Sequence, residues 1–116
     1  MHGASLSSAA IKYTDPELVA CAVRSYATHI RANHLHVRRI IWFGSWIRGT
    51  YSPGSDVDIC IVVSRSDKPR RDRVPDYLPR SFPVGMDLFV YTSAEWRTLE
   101  SDHPEWFREI NAGRDV

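Results

Sequence analysis

Two aspartates separated by one residue, Asp56 and Asp58, are the strongest candidates for chemistry in this chain. They lie at the start of an apolar segment, Val57–Val63, whose composition predicts a buried strand. Side chains two residues apart on a strand project to the same side, and two carboxylates placed there repel each other unless a cation lies between them. Mg²⁺ suits such a site because it prefers carboxylates together with substrate phosphates. The alternative is that Asp56 caps a turn and Asp58 is a solvated strand start.

A second candidate is the pair Gly44 and Ser45, which follows a short apolar and aromatic run at residues 38–43 that predicts another buried strand. A strand that turns there into a short helix directs backbone N–H groups at a phosphate. Gly44 lets the backbone approach closely, and the Ser45 hydroxyl adds a donor. Taken alone, such a pair is more often an ordinary turn. Arg48, one helical turn later, is a candidate for a nucleotide phosphate or for a structural ion pair.

The third candidate is Asp87, early in the next predicted strand at residues 86–91. If this strand lies beside the strand that carries the aspartate pair, Asp87 reaches the same point. Three carboxylates next to a phosphate-binding turn form the arrangement that two-metal nucleotidyl transfer requires. The alternative is a strand-start carboxylate without a role in chemistry.

Several helices must surround these strands. An apolar arc with a period of 3.6 predicts a helix from about residue 14 to 34, with Thr14 as its cap and Pro16 in its first turn. Four prolines forbid a long helix across residues 64–83. The remaining predicted elements are short helices at 45–48 and 74–78, a helix capped by Thr92 or Ser93 and running through Leu99, and one or two helical turns from Pro104.

The run from Gly44 to Asp58 reads Gly-Ser-Trp-Ile-Arg-Gly-Thr-Tyr-Ser-Pro-Gly-Ser-Asp-Val-Asp. It resembles the signature of the polymerase-beta-like nucleotidyltransferases: an apolar strand, Gly-Ser, a spacer of about nine or ten residues and Asp-x-Asp. Arg48-Gly49 and the Ser-Pro-Gly-Ser before Asp56 resemble the minimal nucleotidyltransferases, the MNT antitoxin group of MNT/HEPN pairs. The resemblance implies an α/β fold in which a small mixed β-sheet with flanking helices carries the active site on one face.

The same resemblance implies roles for the candidate residues. Gly44 and Ser45 would bind the triphosphate, and Asp56, Asp58 and Asp87 would be catalytic and hold two Mg²⁺ ions together with it. Arg48 is a further nucleotide-binding candidate on the grounds given above. The implied reaction transfers a nucleoside monophosphate, AMP from ATP, to a hydroxyl acceptor. In the antitoxin group the acceptor is a tyrosine of a separately encoded HEPN toxin. The chain departs from many minimal relatives because these have a long helix where residues 64–83 are short and proline-rich.

Two other functions remain open. The first is a small-molecule nucleotidyltransferase of the aminoglycoside-modifying type, although such enzymes usually carry a further substrate domain. The second is a non-catalytic partner-binding module of the same fold, although such a module tends to lose one of the three carboxylates. A length of 116 residues suits one domain, predicted here as a flexible N-terminus at residues 1–13 and a nucleotidyltransferase domain at 14–116.

The composition and charge of the chain limit the expected localisation and the expected binding partners. The chain has neither a signal-peptide pattern nor an apolar run of membrane-spanning length, which predicts a cytoplasmic protein without membrane contact. A net charge of +1 argues against a dedicated duplex-DNA binder. The basic segment at residues 65–80 is most often a solvated loop in such a protein, but contact with RNA, a nucleotide or an acidic partner stays open. The C-terminal aromatic residues could contribute to a subunit or partner interface.

Overall fold

A computed structural model describes residues 15–116 of the chain. The predicted flexible segment at residues 1–13 and the predicted cap Thr14 lie outside the described residues. The helices and strands are α1 (Pro16–Asn33), β1 (Val37–Phe43), α2 (Ser45–Arg48), β2 (Val57–Val63), α3 (Arg70–Arg73), a 3-10 helix (Val74–Tyr77), β3 (Met86–Thr92), α4 (Ser93–Asp102), α5 (Pro104–Asn111) and β4 (Arg114–Asp115).

The four strands form one mixed sheet in the order β3-β2-β1-β4. Strand β1 runs antiparallel to β2 and to β4, whereas β2 and β3 are parallel. Ile59 pairs with Leu88, so the strand that carries the aspartate pair does lie beside the strand that carries Asp87. The predicted α/β class with a small mixed sheet and flanking helices is confirmed. The C-terminal end of β1 and the starts of β2 and β3 therefore meet at one end of the sheet.

Both faces of the sheet are covered, which explains why its central strands are apolar at nearly every position. Alternate residues of β1 point to opposite faces: Ile40 and Trp42 pack towards α1, whereas Ile41 and Phe43 pack with residues of α4 and α5. Strand β2 alternates in the same way. Ile59 lies in the first core cluster, on the α1 side of the sheet, and Cys60 lies in the second core cluster, on the α4–α5 side. The sheet is thus held between α1 on one side and the α4–α5 pair on the other.

The helix caps follow local chemistry. The cap of α1 is Asp15, whose carboxylate accepts a hydrogen bond from the Glu17 N–H (2.9 Å). Of the two caps predicted for α4, Thr92 and Ser93, the structure has Thr92, which forms a reciprocal capping box with Glu95. Among residues 15–116, no helix is both long enough and apolar enough to cross a membrane.

The segment between β2 and β3 is more ordered than its composition predicts. The predicted short helix is a 3-10 helix, and α3 precedes it. Within α3, Arg73 is only 5% exposed, so the solvated-loop interpretation is wrong for this residue. Its guanidinium donates to Lys68 O (2.9 Å), to Val90 O (3.2 Å) and to Glu95 (2.6 Å). These bonds fasten the basic segment to β3 and α4.

The C-terminal aromatic residues contribute mainly to the second core cluster. Trp106 packs edge-on against Phe43 and Phe89, and its indole N–H donates to the Tyr91 hydroxyl (2.9 Å). Trp96, Trp106 and Phe107 are partly buried against this cluster, and part of each side chain remains at the surface.

Candidate active site

The three candidate carboxylates gather at the end of the sheet where β2 and β3 begin. Asp58 pairs with Phe43 of β1 on one side and with Asp87 of β3 on the other, and Asp56 immediately precedes β2. Directly paired residues on neighbouring strands share a face of the sheet, which here is the face that Phe43 and Phe89 share with α5. The structure thus brings Asp56, Asp58 and Asp87 together; we call them the carboxylate cluster.

Gly44 connects the cluster to the turn before α2. Its φ is +89°, a conformation that favours glycine. A Cβ added at Gly44 would overlap the Asp58 Oδ2 atom. The missing side chain is therefore what allows the turn and the carboxylate to touch. Gly44 is also the N-cap of α2 and supplies no side-chain cap to its first turn, so the backbone N–H groups there are left without a side-chain acceptor.

Gly85 plays the same part on the other side of the cluster, although it is not among the residues predicted from the sequence. A Cβ at Gly85 would overlap the Asp56 Oδ1 atom. The Gly85 carbonyl also accepts a hydrogen bond from the Val57 N–H (2.9 Å), which continues the β2–β3 pairing up to Asp56. A glycine two residues before Asp87, at the start of a strand, was the available signal.

The electrostatics of the cluster oppose full ionisation. Burial, followed by the charges of Asp87 and Asp56, raises the pKa of Asp58 to about 6. Burial and then the charge of Asp87 also raise the pKa of Asp56. Arg48 lowers the pKa of Asp58, but its effect is smaller than those of burial and the two neighbouring carboxylates. The cluster therefore lacks compensating positive charge.

Arg48 is shared between two surroundings. Its guanidinium forms an ion pair with Glu109 of α5, and the two side chains are 50% and 39% exposed, respectively. The ion-pair alternative from the sequence is thus observed, while its electrostatic effect on Asp58 shows that the guanidinium also lies near the cluster. Contact between Arg48 and a nucleotide phosphate stays a prediction.

Trp46 anchors the loop that leads to Asp56, a role that was not predicted from the sequence. Its ring stacks on Tyr51 with centroids 4.0 Å apart and an interplanar angle of 9°. Its indole N–H donates to Ser55 O (2.9 Å), directly before Asp56. The loop between α2 and β2 is therefore anchored to the buried side of α2 at both of these points.

The donor set fits a hard divalent cation that binds together with phosphate. In the part of the chain that the structure describes, no three His, Cys, Asp or Glu side chains are close enough to hold a metal ion by themselves. Mg²⁺ does not need such a cage, because it is usually bound by one or two carboxylates plus substrate phosphates and waters. The raised pKa values of Asp56 and Asp58 indicate where positive charge would be stabilised.

Comparison with known proteins agrees with this geometry. A solved structure of a candidate nucleotidyltransferase from Sulfolobus solfataricus matches with a TM-score of 0.57 and 18% identity, over 99% of this chain and 90% of that one. At this identity the likeness shows the fold alone. A comparison with curated proteins gives no match. The family model of the nucleotidyltransferase domain matches residues 23–103, a range that contains Gly44, Ser45 and all three carboxylates. This chain therefore belongs to the family of nucleotidyltransferase domains.

Proposed function

We propose that this protein transfers AMP from ATP to a hydroxyl acceptor in a reaction that depends on Mg²⁺. One observation carries the proposal: the Asp58 carboxylate touches the Gly44 turn and is paired in register with Asp87. A turn suited to phosphate and a cluster of under-compensated carboxylates are thus in direct contact. This juxtaposition fits nucleotidyl transfer better than either feature alone.

The nucleotide would be held mainly by the backbone. The first turn of α2 has no side-chain cap, and the N–H groups of Ile47 and Arg48 donate to Gly44 O. The N–H groups of Ser45 and Trp46, with the Ser45 hydroxyl, would therefore bind the triphosphate. Asp56 and Asp58 would hold the Mg²⁺ that accompanies the triphosphate, and Asp87 would hold a second ion with them. When bound, the two ions neutralise charge on the phosphates and lower the pKa of the acceptor hydroxyl.

The proposed reaction is a substitution at the α-phosphorus. The acceptor oxygen forms a bond to this phosphorus, the bond to the bridging oxygen of the β-phosphate breaks, and pyrophosphate leaves with the electron pair. The proton of the acceptor hydroxyl passes to Asp87, which lies across from Asp58 at the side of the cluster formed by β3.

For the acceptor, we propose a tyrosine of a separately encoded HEPN-type protein, which this chain would silence in the cytoplasm as an antitoxin. The resemblance of Arg48-Gly49 and of the Ser-Pro-Gly-Ser segment to the minimal nucleotidyltransferases supports this choice. So does architecture, since residues 15–116 form one sheet with its covering helices and contribute no second domain that could close over a small substrate.

Calorimetric titration of ATP with and without Mg²⁺ tests the nucleotide site. We expect much tighter binding with Mg²⁺, and we expect Asp58→Asn to reduce this difference because it removes one carboxylate from the cluster. Asp72→Asn, an exposed position on α3, provides a matched control. Equal affinity with and without Mg²⁺ would argue against a metal-bridged triphosphate.

Incubation with ATP labelled at the α-phosphate, Mg²⁺ and a candidate HEPN-type partner tests the acceptor. We expect label on the partner and none on a panel of aminoglycosides. Efficient labelling of a small-molecule hydroxyl would instead support the small-molecule nucleotidyltransferase. Neutralisation of the partner without any label would identify a non-catalytic binding module.

A further inference from the structure

A groove with a volume of about 450 Å³ runs along β3, on the outer edge of the sheet. Strand β3 forms its floor, α3 forms one wall, and the α4–α5 region forms the other. We call it the β3 groove. The lining residues that matter here are Arg70, Arg71, Leu88, Phe89, Tyr91 and Trp106.

The β3 groove begins where the carboxylate cluster ends. Leu88 directly follows Asp87, and Phe89 lies two residues beyond Asp87 on the same face of the strand. Phe89 and Trp106 pack edge-on with centroids 5.2 Å apart, and both side chains are only partly buried. An occupant of the groove would therefore rest on an aromatic floor and reach Asp87 without crossing another element.

The backbone of β3 adds a second feature. The Gly85 carbonyl bonds to Val57 of β2, whereas the Val90 carbonyl accepts from Arg73 on the opposite side. Because backbone groups alternate sides along a strand, those of Leu88 point away from β2. Arg73 covers the edge at Val90, and no partner for the Leu88 backbone is found among residues 15–116. A strand edge whose backbone groups have no partner can pair with an extended segment of another chain.

The two ends of the β3 groove carry opposite charges. Its far end carries Arg70, whose guanidinium lies 5.3 Å from the centroid of the Tyr91 ring. It also carries Arg71, which has only a loose contact of 3.9 Å with Asp72, both side chains being largely exposed. Its near end is the negative carboxylate cluster. Asp87 and Tyr91 are four residues apart, or about 13 Å along a strand.

From this pattern we infer that the β3 groove is the docking site for the acceptor protein. An extended segment of that protein would present its hydroxyl side chain near Asp87 and its acidic residues about four positions away, against Arg70 and Arg71. The inference rests on the proposed function and adds the chemistry of the acceptor to it. A nucleic acid fits less well, because every nucleotide carries a phosphate and some would lie beside the carboxylate cluster.

Peptide binding tests the inference without requiring transfer. The probe is a fluorescent peptide, Glu-Ala-Val-Ala-Tyr-Ala-Val-Ala-Glu, whose symmetry allows either strand direction; its comparison peptide has Gln in place of both Glu residues. We expect the Glu peptide to bind the wild-type protein with Mg²⁺ and a non-hydrolysable ATP analogue. We expect about 10-fold weaker binding for the Gln peptide, as for the loss of two exposed charge pairs.

Protein variants locate the binding. The double variant Arg70→Glu/Arg71→Glu should weaken binding of the Glu peptide by about 10-fold or more. The double variant Arg65→Glu/Arg97→Glu carries the same change in charge at exposed positions outside the groove and should bind as the wild type does. Thermal unfolding checks that each variant is folded, and Arg70→Ala/Arg71→Ala replaces the first variant if it is not.

The inference is overturned if the Glu peptide does not bind at millimolar concentration, if both peptides bind equally, or if both double variants weaken binding equally. Tighter binding of a single-stranded oligonucleotide, lost in the Arg70/Arg71 variant, would assign the groove to nucleic acid. Wild-type protein that binds the peptide but not Mg²⁺–ATP would contradict the proposed function alone. If ATP binding is intact but the Arg70/Arg71 variant binds the peptide as the wild type does, the docking site in the β3 groove is contradicted and the proposed function is not.

Discussion

A charged region lies at each end of β3, and the two regions shift the pKa values of their acidic side chains in opposite directions. At the start of β3, like charges meet: burial and neighbouring carboxylates raise the pKa values of Asp58 and Asp56. Near its end, opposite charges meet: the Arg73 guanidinium donates to the Glu95 carboxylate at 2.6 Å and lowers its pKa. One region opposes the ionised form of its acids, and the other favours it.

The difference separates a functional role from a structural one. The Arg73–Glu95 pair satisfies its own hydrogen bonds, and Glu95 also belongs to the capping box of α4. The carboxylate cluster is unfavourable for the folded protein alone, and such strain is typical of sites that are completed by a ligand. Arg48, whose charge lowers the pKa of Asp58, is engaged by Glu109. We therefore expect substitutions in the two regions to have opposite consequences for activity and stability.

The largest expected effect is on transfer by Asp87→Asn. This change keeps the size of the side chain and removes its charge. Transfer should fall by roughly 10²-fold or more, the scale of losing positioned acid–base or metal assistance, while ATP affinity changes only a few-fold. Asp58→Asn should impair both ATP affinity and transfer. Single-turnover rates and calorimetry separate the two quantities, and near-normal transfer by a folded Asp87→Asn protein would leave only two essential carboxylates.

Arg73→Met should act on stability instead. Arg73 is buried and donates to Glu95 and to two backbone carbonyls. Without it, the carbonyls lose this donor, and the Glu95 carboxylate keeps only the Thr92 N–H. We expect the free energy of unfolding to fall by about 2 kcal/mol, less than for a fully buried pair because Glu95 is partly exposed. Arg71→Met, with an exposed side chain, should change it by under about 0.5 kcal/mol. If the Arg73→Met protein is stable but cannot transfer AMP, then Arg73 has a functional role and not only a structural one.

Asp58→Asn should stabilise the protein when nucleotide and metal are absent. At pH 7.5 the Asp58 carboxylate is ionised despite a pKa raised to about 6, so the neutral amide removes repulsion from Asp87 and Asp56. We expect a gain of about 1 kcal/mol in urea unfolding with a chelator, a value reduced for solvent screening. Asp72→Asn is the exposed control. A loss of stability in Asp58→Asn would show that the cluster is structural.

The contrast also shows what the sequence could predict. The strands and long helices follow from their apolar periodicity, and Gly44, Asp56 and Asp58 stand out because their spacing along the chain is itself the signal. The burial of Arg73 could not be foreseen, since its composition resembles a solvated loop and its partners Val90 and Glu95 lie 17 and 22 residues away.

Features created by tertiary contact were missed for the same reason. Gly85 has to lack a side chain only because Asp56 packs against it. Strand β4 has two residues, too few for any periodicity. The sequence therefore predicted the arrangement of the carboxylates well, whereas the contacts that position them required the structure.

The smallest expected effect is on how the free energy of unfolding falls at acidic pH, and it depends on Glu95. The hydrogen bond from Arg73, helped by the Thr92 N–H, lowers the pKa of Glu95 from its ordinary value of 4.5, although burial opposes the shift. Because the folded pKa is the lower one, the contribution of Glu95 to stability is complete above pH 4.5 and is lost as the pH falls through the folded value. In Glu95→Gln, urea unfolding should show lower stability at pH 7, by less than about 1 kcal/mol because the partly exposed Glu95 is screened by solvent. The decline in stability below pH 4.5 should also be flatter. Glu100→Gln, exposed on the same helix, should keep the wild-type slope. Parallel acid limbs for wild type and Glu95→Gln would show that the Arg73–Glu95 pair has no preference for the ionised carboxylate, and the contrast between the two ends of β3 would then lose its structural half.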